Sequence, residues 1–306
     1  MATFDQSAEN AISDADYKMG LLSAATAYFI WGIAPLYFKL TASSPALVVV
    51  CYRVLTSVVA VGILLGFRQQ LYSLLHIFKN KALLWRIALA SFVLTSNWLV
   101  FIWSIEVGRV LDASFGYFIN PLVSVALGVV VLSERLSRGQ MIAVALSVIG
   151  ITYQIVAMGT LPLVSLFLAF TFATYALIRK KTEVAAIPGQ LAEVICMSPL
   201  ALIGLFYLGG QGTSVAPLAE VSLFLALLGT GVVTAAPLIL FTFGARRIPM
   251  IYVGFLQYIA PSLQFILAYW IFGEALSTDR LISFIIIWVS LGVFTLDGFA
   301  KTKSAQ

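Results

Sequence analysis

The sequence predicts an all-α membrane protein: ten transmembrane helices in two inverted five-helix repeats, with both termini cytoplasmic. Three observations lead there. Apolar residues make up 61% of the 306-residue chain and charged residues only 10%, where a soluble domain is roughly 45–50% apolar and about 25% charged. The apolar residues run in long unbroken stretches, whereas barrel strands alternate. Lys and Arg gather in every second connection. Mean hydropathy is +1.02, so too little charge is present to cover a water-facing surface.

A helix crosses the roughly 30 Å hydrocarbon core with about 20 residues, because in lipid its backbone polar groups must bond internally. Ten stretches meet that need: 19–39, 45–66, 83–105, 111–132, 139–158, 160–178, 188–208, 221–243, 250–272 and 280–298. The first follows a stretch with Asp5, Glu9, Asp14 and Asp16 and no basic residue before Lys18. This lacks the basic start of a secretory signal, and residues 1–18 are read as a disordered cytoplasmic tail. The fifth and sixth spans are parted by Gly159-Thr160-Leu161-Pro162, a turn sequence. Residues 67–82 are a connecting loop that holds the lone histidine, His76, and residues 299–306 form a second cytoplasmic tail.

Orientation follows from the basic residues of short loops. With the N-terminus cytoplasmic, the cytoplasmic segments hold 14 of the 18 Lys and Arg and the outside loops hold 3. The remaining one, Arg53, lies inside the second span. A missed span would scramble this asymmetry. It also gives the basic pI of about 9.2 a cause other than nucleic-acid binding. The cysteines, Cys51 and Cys196, sit in apolar runs with no metal or disulfide spacing.

The chain also matches itself. At a shift of 140 positions, Tyr117-Phe118-Ile119-Asn120-Pro121 falls on Gln257-Tyr258-Ile259-Ala260-Pro261, Glu134 on Glu274, Leu136-Ser137 on Leu276-Ser277, and Arg53 on Glu193. The halves are residues 19–158 and 160–298. Five spans is an odd number, so the second half enters the membrane upside down. Inverted repeats are a device of secondary transporters, whose substrate site lies near the midplane between the repeats.

Several stretches carry a resemblance: Ala27-Tyr28-Phe29-Ile30-Trp31-Gly32-Ile33-Ala34-Pro35, Tyr52-Arg53-Val54, Asn97-Trp98, Gly116-Tyr117-Phe118-Ile119-Asn120-Pro121-Leu122, Arg179-Lys180-Lys181, Gln257-Tyr258-Ile259 and Gly273-Glu274. Together they resemble the drug/metabolite transporter superfamily, of the EamA-type fold, and within it the RarD-type branch. The likeness spans residues 20 to 300. It implies ten helices in two inverted halves and carriage of small solutes. Family members often bear drug-resistance or chloramphenicol-sensitivity labels, which rarely fix a substrate. The family's Gly-Glu pair reads Ser133-Glu134 in the first half.

Candidate site residues are the polar and aromatic groups at depth. Arg53 sits about eight residues into its span, roughly 12 Å deep. It is either a clamp for a carboxylate or a structural partner of carbonyls or of Glu193. Glu193 is a coupling or ion-pair candidate: it could hold a proton, meet a cationic solute or neutralise Arg53. Asn97, Asn120 and Gln257 are costly in hydrocarbon unless they face a cavity or bond a neighbouring helix. Trp31, Trp98, Tyr117, Tyr175 and Tyr258 lie mid-span and could stack on a flat solute or simply pack. Pro121 and Pro261, in matching places, each free a carbonyl and are candidate kinks or gates. Trp103, Trp270 and Tyr153 suit the interfacial belt. Glu134 and Glu274 precede Ser137 and Ser277, which read as helix N-caps, and suggest a structural corner.

The expected function is secondary-active transport of a small organic solute by alternating access, in a bacterial inner (plasma) membrane. No Gly-x-x-x-x-Gly-Lys loop is present, which excludes ATP hydrolysis by this chain. The expected partners are the solute, the lipid bilayer and a proton or counter-substrate. No cofactor, metal or nucleic acid is implied, and the protein is a monomer or homodimer. The alternatives are a non-transporting membrane scaffold or sensor, and a membrane-embedded lipid-modifying enzyme. The first would usually carry a sizeable soluble domain, and the second would want clustered His, Asp, Glu or Cys within the spans.

Overall fold

The computed structural model describes residues 14–106, 110–159, 163–218, 220–271 and 278–304. Among them it is all-helical. The helices are α1 (Asp14–Phe38), α2 (Ala46–Phe67), α3 (Leu71–Lys79), α4 (Lys81–Glu106), α5 (Val110–Leu132), α6 (Arg138–Met158), α7 (Leu163–Lys181), α8 (Ala186–Gly210), α9 (Val221–Ala245), α10 (Met250–Leu256), α11 (Ile259–Trp270) and α12 (Thr278–Ser304). A turn of 3-10 helix, Lys39–Thr41, follows α1.

Eight described segments are long and apolar enough to cross a membrane, one of them formed by α10 and α11 together. Two shorter apolar segments, Gly116–Leu132 and Leu281–Asp297, fall where the fourth and tenth spans are expected. Burial is inverted relative to a soluble protein. Phe206 (87% exposed), Phe67, Val130 and Trp270 face outward, while Asn97, Gln190, Glu193 and Ser290 lie inside. Lipid, not water, suits such a surface.

Three departures from the sequence reading have physical causes. The expected loop 67–82 contains α3, an amphipathic helix that buries Leu74 and Ile77 and leaves Leu71, Tyr72, Leu75 and Phe78 outward. It is too short to span, so hydropathy over a long window overlooks it. The ninth span is two helices. Pro261 lacks the N–H that would bond the Gln257 carbonyl four residues back, and α10 ends at Leu256. That carbonyl instead accepts from Ala260 N at 3.3 Å. Pro121, by contrast, stays inside a continuous α5. Helix also enters both stretches read as tails, since residues 14–18 belong to α1 and residues 299–304 to α12.

Other elements follow the local signals. Ser137 caps α6 in a capping box: its Oγ accepts from Gln140 N at 3.2 Å, and Gln140 Oε1 accepts from Ser137 N at 2.9 Å. Gly159 ends α6 in the left-handed conformation, φ +69°, which favours glycine. Glu274 and Ser277, proposed as the matching corner, lie outside the described residues, as does Arg109.

Small residues and hydroxyls let the helices approach closely. Ser57 Oγ, on α2, donates to the Gly231 carbonyl of α9 at 3.1 Å. Ser283 Oγ of α12 donates to the Gly150 carbonyl of α6 at 2.9 Å, and Ser290 and Ser147 bond each other across the same pair at 2.8 Å. Helix neighbours include α1 with α9 and α11, α2 with α8 and α9, α4 and α5 with α7, α5 with α10, and α6 with α12.

Candidate functional site

Helices from both halves surround a cavity of about 530 Å³, lined mostly by apolar side chains. One wall is α1, with Tyr28, Trp31, Ala34, Pro35 and Phe38. Thr41, Ala42 and Ser44 after α1 continue the lining, and α2 adds Val49, Val50 and Arg53. The facing walls are Asn97, Trp98 and Phe101 of α4, Tyr117 and Asn120 of α5, Phe172 of α7, and Leu238 of α9. Gln257, at the break between α10 and α11, closes the ring with Ala260, Pro261 and Gln264 of α11.

Two prolines shape the α1–α11 side. Pro35 removes the bond that the Trp31 carbonyl would otherwise accept. Gln264 Nε2, on α11, donates to that carbonyl at 3.2 Å, which stitches the two halves together beside the cavity. The α10–α11 break brings Gln257 to the wall, where its Oε1 accepts from Ser124 Oγ of α5 at 3.0 Å.

Arg53 is held, not free to swing. Its Nε donates to Thr234 Oγ1 of α9 at 2.9 Å. The guanidinium carbon lies 4.7 Å from the Trp98 ring centroid and 5.0 Å from that of Phe38, within cation–π range. Asn97 is a wall residue and a helix tie at once: its Nδ2 donates to the Leu168 carbonyl at 2.9 Å and to Thr171 Oγ1 at 2.8 Å. Asn120 Oδ1 is buried without a hydrogen-bond partner among the described residues.

Seven of the residues singled out from the sequence therefore share this cavity: Trp31, Arg53, Asn97, Trp98, Tyr117, Asn120 and Gln257. Pro261 lines it as well, while Pro121 lies outside the lining. Tyr175 and Tyr258 also lie outside it. Tyr258 is 1% exposed and packs edge-on against Phe255. Tyr175 is fully buried, and its hydroxyl donates to Glu193 Oε2 at 3.2 Å. Tyr175 is turned into protein by the rotation of α7, and Tyr258 by the break between α10 and α11, neither of which hydropathy fixes.

Glu193 is paired, but not with Arg53. Its Oε1 lies 2.9 Å from Arg179 Nε, and both side chains are 0% exposed. Arg179 was counted with Lys180 and Lys181 as a loop charge. In the structure the buried stripe of α7, Ser165, Leu168, Ala169, Ala173 and Ala176, advances three residues further to Arg179. That spacing was the available signal. The guanidinium lies against Gly189, where an added Cβ would stand 2.5 Å from both Nη atoms. Lys180 is not a free loop charge either: its Nζ donates to the Ala245 and Ile248 carbonyls.

Away from the 39–46 connection, the lining gives way to packed rings. Trp31, Phe172, Tyr175 and Phe241 form a layer of contacting rings, with Phe241 5.6 Å from Trp31 and 5.5 Å from Phe172. Beyond it stand the Lys180 bonds, a bond from Arg246 to the Val184 carbonyl, and a carboxylate on a helix start. Glu134, just past α5, accepts from Met250 N at 2.6 Å and from Ile251 N at 2.9 Å. Negative charge at a helix N-terminus is favourable. This carboxylate joins the first half to the second, a role beyond the local corner read from the sequence.

Known proteins resemble this chain throughout. A model of the EamA-like transporter family matches residues 18–156. A protein of Vibrio cholerae serotype O1 called an uncharacterized transporter is 41% identical over 95% of this chain and 96% of its own. Protein RarD of Salmonella typhi is 42% identical over 92% of this chain and 95% of its own. A solved crystal structure superposes with a TM-score of 0.69 at 20% identity, over 90% of this chain and 97% of that one, a likeness of fold alone. This is a multi-pass membrane transporter of the drug/metabolite transporter type, not an enzyme. The chain belongs to the EamA-like transporter family, in the RarD branch of that superfamily.

Proposed function

We propose that the chain is a secondary-active carrier of a small organic solute, working by alternating access in a bacterial inner membrane. It crosses ten times, as two inverted five-helix halves, with both termini in the cytoplasm. The observation that carries this reading is a cavity between helices of both halves that reaches the 39–46 connection at one end of the bundle, while an aromatic layer and the Glu134 contacts lie toward the other. Lys180 and Arg246 lie toward that other end too. With the N-terminus inside, the 39–46 connection is then on the outer side.

The helix neighbours support the inverted halves. Exchanging each span for its counterpart five further on turns the α1–α9 pairing into α4–α7, and α1–α11 into α5–α7; the α2–α8, α5–α10 and α6–α12 pairs map onto themselves. Such a molecule reaches an inward-open state by exchanging the arrangements of its halves. Loss of the Glu134 contacts and opening of the aromatic layer are the changes needed at the Glu134 end. Energy comes from a gradient of solute, proton or counter-substrate.

Reconstituted protein tests this. Liposomes loaded with a pool of amino acids, nucleosides, aromatic acids, organic cations and vitamins are assayed for protein-dependent release or exchange. At least one solute moves with the wild type, and Leu238→Trp, which fills the cavity, abolishes that movement while keeping a cooperative unfolding transition. A folded wild type that moves no solute, or a Leu238→Trp protein that moves it equally well, contradicts the reading.

A further inference from the structure

We infer that the cavity selects an organic monoanion with a flat apolar body, an aromatic carboxylate, and that Arg53 reads the charge. This rests on the carrier reading and adds a substrate class to it.

The charge balance comes first. Among the described lining residues, Arg53 is the one that carries a charge. The carboxylate that could offset it, Glu193, is held by Arg179 and Tyr175 away from the lining. A zwitterion bridging Arg53 and Glu193 is therefore not accommodated. An ammonium group entering the cavity meets like charge and no described acid.

Geometry comes second. The Nε–H of Arg53 is used by Thr234, and the guanidinium stands against the Trp98 and Phe38 rings. Its two Nη groups have no hydrogen-bond partner among the described residues. A guanidinium edge with two parallel donors matches the two oxygens of a carboxylate. The Thr234 bond and the rings fix its plane in advance, so little conformational freedom is lost on binding.

Size and lining come third. A volume of about 530 Å³ falls among pockets that enclose small organic ligands. The Trp31, Phe101, Tyr117 and Phe172 rings offer faces and edges to a flat body, and the Asn120 and Gln257 amides can meet neutral polar substituents.

The test is a set of matched ligands on the purified full-length protein: aromatic carboxylates such as indole-3-acetate, each with its neutral amide and its cationic amine. Binding is read by calorimetry. The acid of the preferred scaffold binds roughly 10- to 100-fold more tightly than its amide, the span of one charge-assisted bond, and the amine does not bind. Arg53→Gln brings acid and amide together, while Arg53→Lys keeps part of the preference. An amine or amide binding as well as the acid overturns the inference, and so does a preference that survives Arg53→Gln. Failure of every acid also overturns it. If transport of another solute is then measured, or a cavity thiol reacts from both membrane faces, the carrier reading stands and only the substrate class is lost.

Discussion

Individual side chains divide between the cavity and the scaffold around it. The Arg179–Glu193 pair belongs to the scaffold. Both groups are fully buried, so each leaves an uncompensated partner when the other is removed. Breaking such a pair costs about 3–5 kcal/mol, whereas replacing both members with apolar residues is often neutral. Arg179→Met and Glu193→Gln should each lower the unfolding temperature in detergent by several degrees, and Arg179→Met with Glu193→Leu should recover most of the loss. A double variant as unstable as the sum of the singles would show that the pair is not the source. Gly189→Ala presses a methyl against the same guanidinium and should destabilise by about 1–3 kcal/mol. At this scale the sequence was informative about depth but not direction. Arg53, Asn97 and Asn120 stood out because polar groups in long apolar runs are costly. Tyr175 and Tyr258 turned away from the cavity, since rotation of α7 about its axis depends on its neighbours and Tyr258 falls in the α10–α11 break. Arg179 hid among loop charges because three basic residues in a row read as a boundary.

The elements carry the moving parts of the account. Pro121 and Pro261 occupy matching places, yet one helix is continuous and the other is broken at Gln257–Tyr258. The same missing N–H thus has two structural outcomes, which is why a proline marks a weak point without fixing a break. Pro261→Ala restores the bond to the Gln257 carbonyl. It should raise stability by about 1 kcal/mol or more and slow transport with little change in solute affinity. Unchanged turnover would remove the break from the mechanism. Glu134 ties the end of α5 to the start of α10. Glu134→Gln weakens that tether by about 1 kcal/mol, roughly fivefold in population. A cysteine at Ile248, 1% exposed at that end of the bundle, should then react faster from the membrane face nearest it. Equal rates with and without the substitution would make Glu134 a static cap. The amphipathic α3 escaped the sequence reading because a nine-residue helix is diluted in any window sized for a membrane crossing.

For the whole molecule, the class was legible because the bilayer demands long apolar helices, and eight described segments meet that demand. The position of the cavity was not legible, because it depends on how side chains from distant helices pack together. Under the proposed alternating access, one cavity faces each side of the membrane in turn. The most direct measurement uses a single cysteine at Ala260, a buried residue of the cavity wall, with Cys51 and Cys196 replaced by alanine. Right-side-out and inverted membrane vesicles are each treated with a membrane-impermeant thiol reagent. Alternating access predicts labelling from both faces, faster from the side that carries the 39–46 connection. Labelling from one face alone, whatever solutes are present, would make the cavity a fixed pocket and contradict the account.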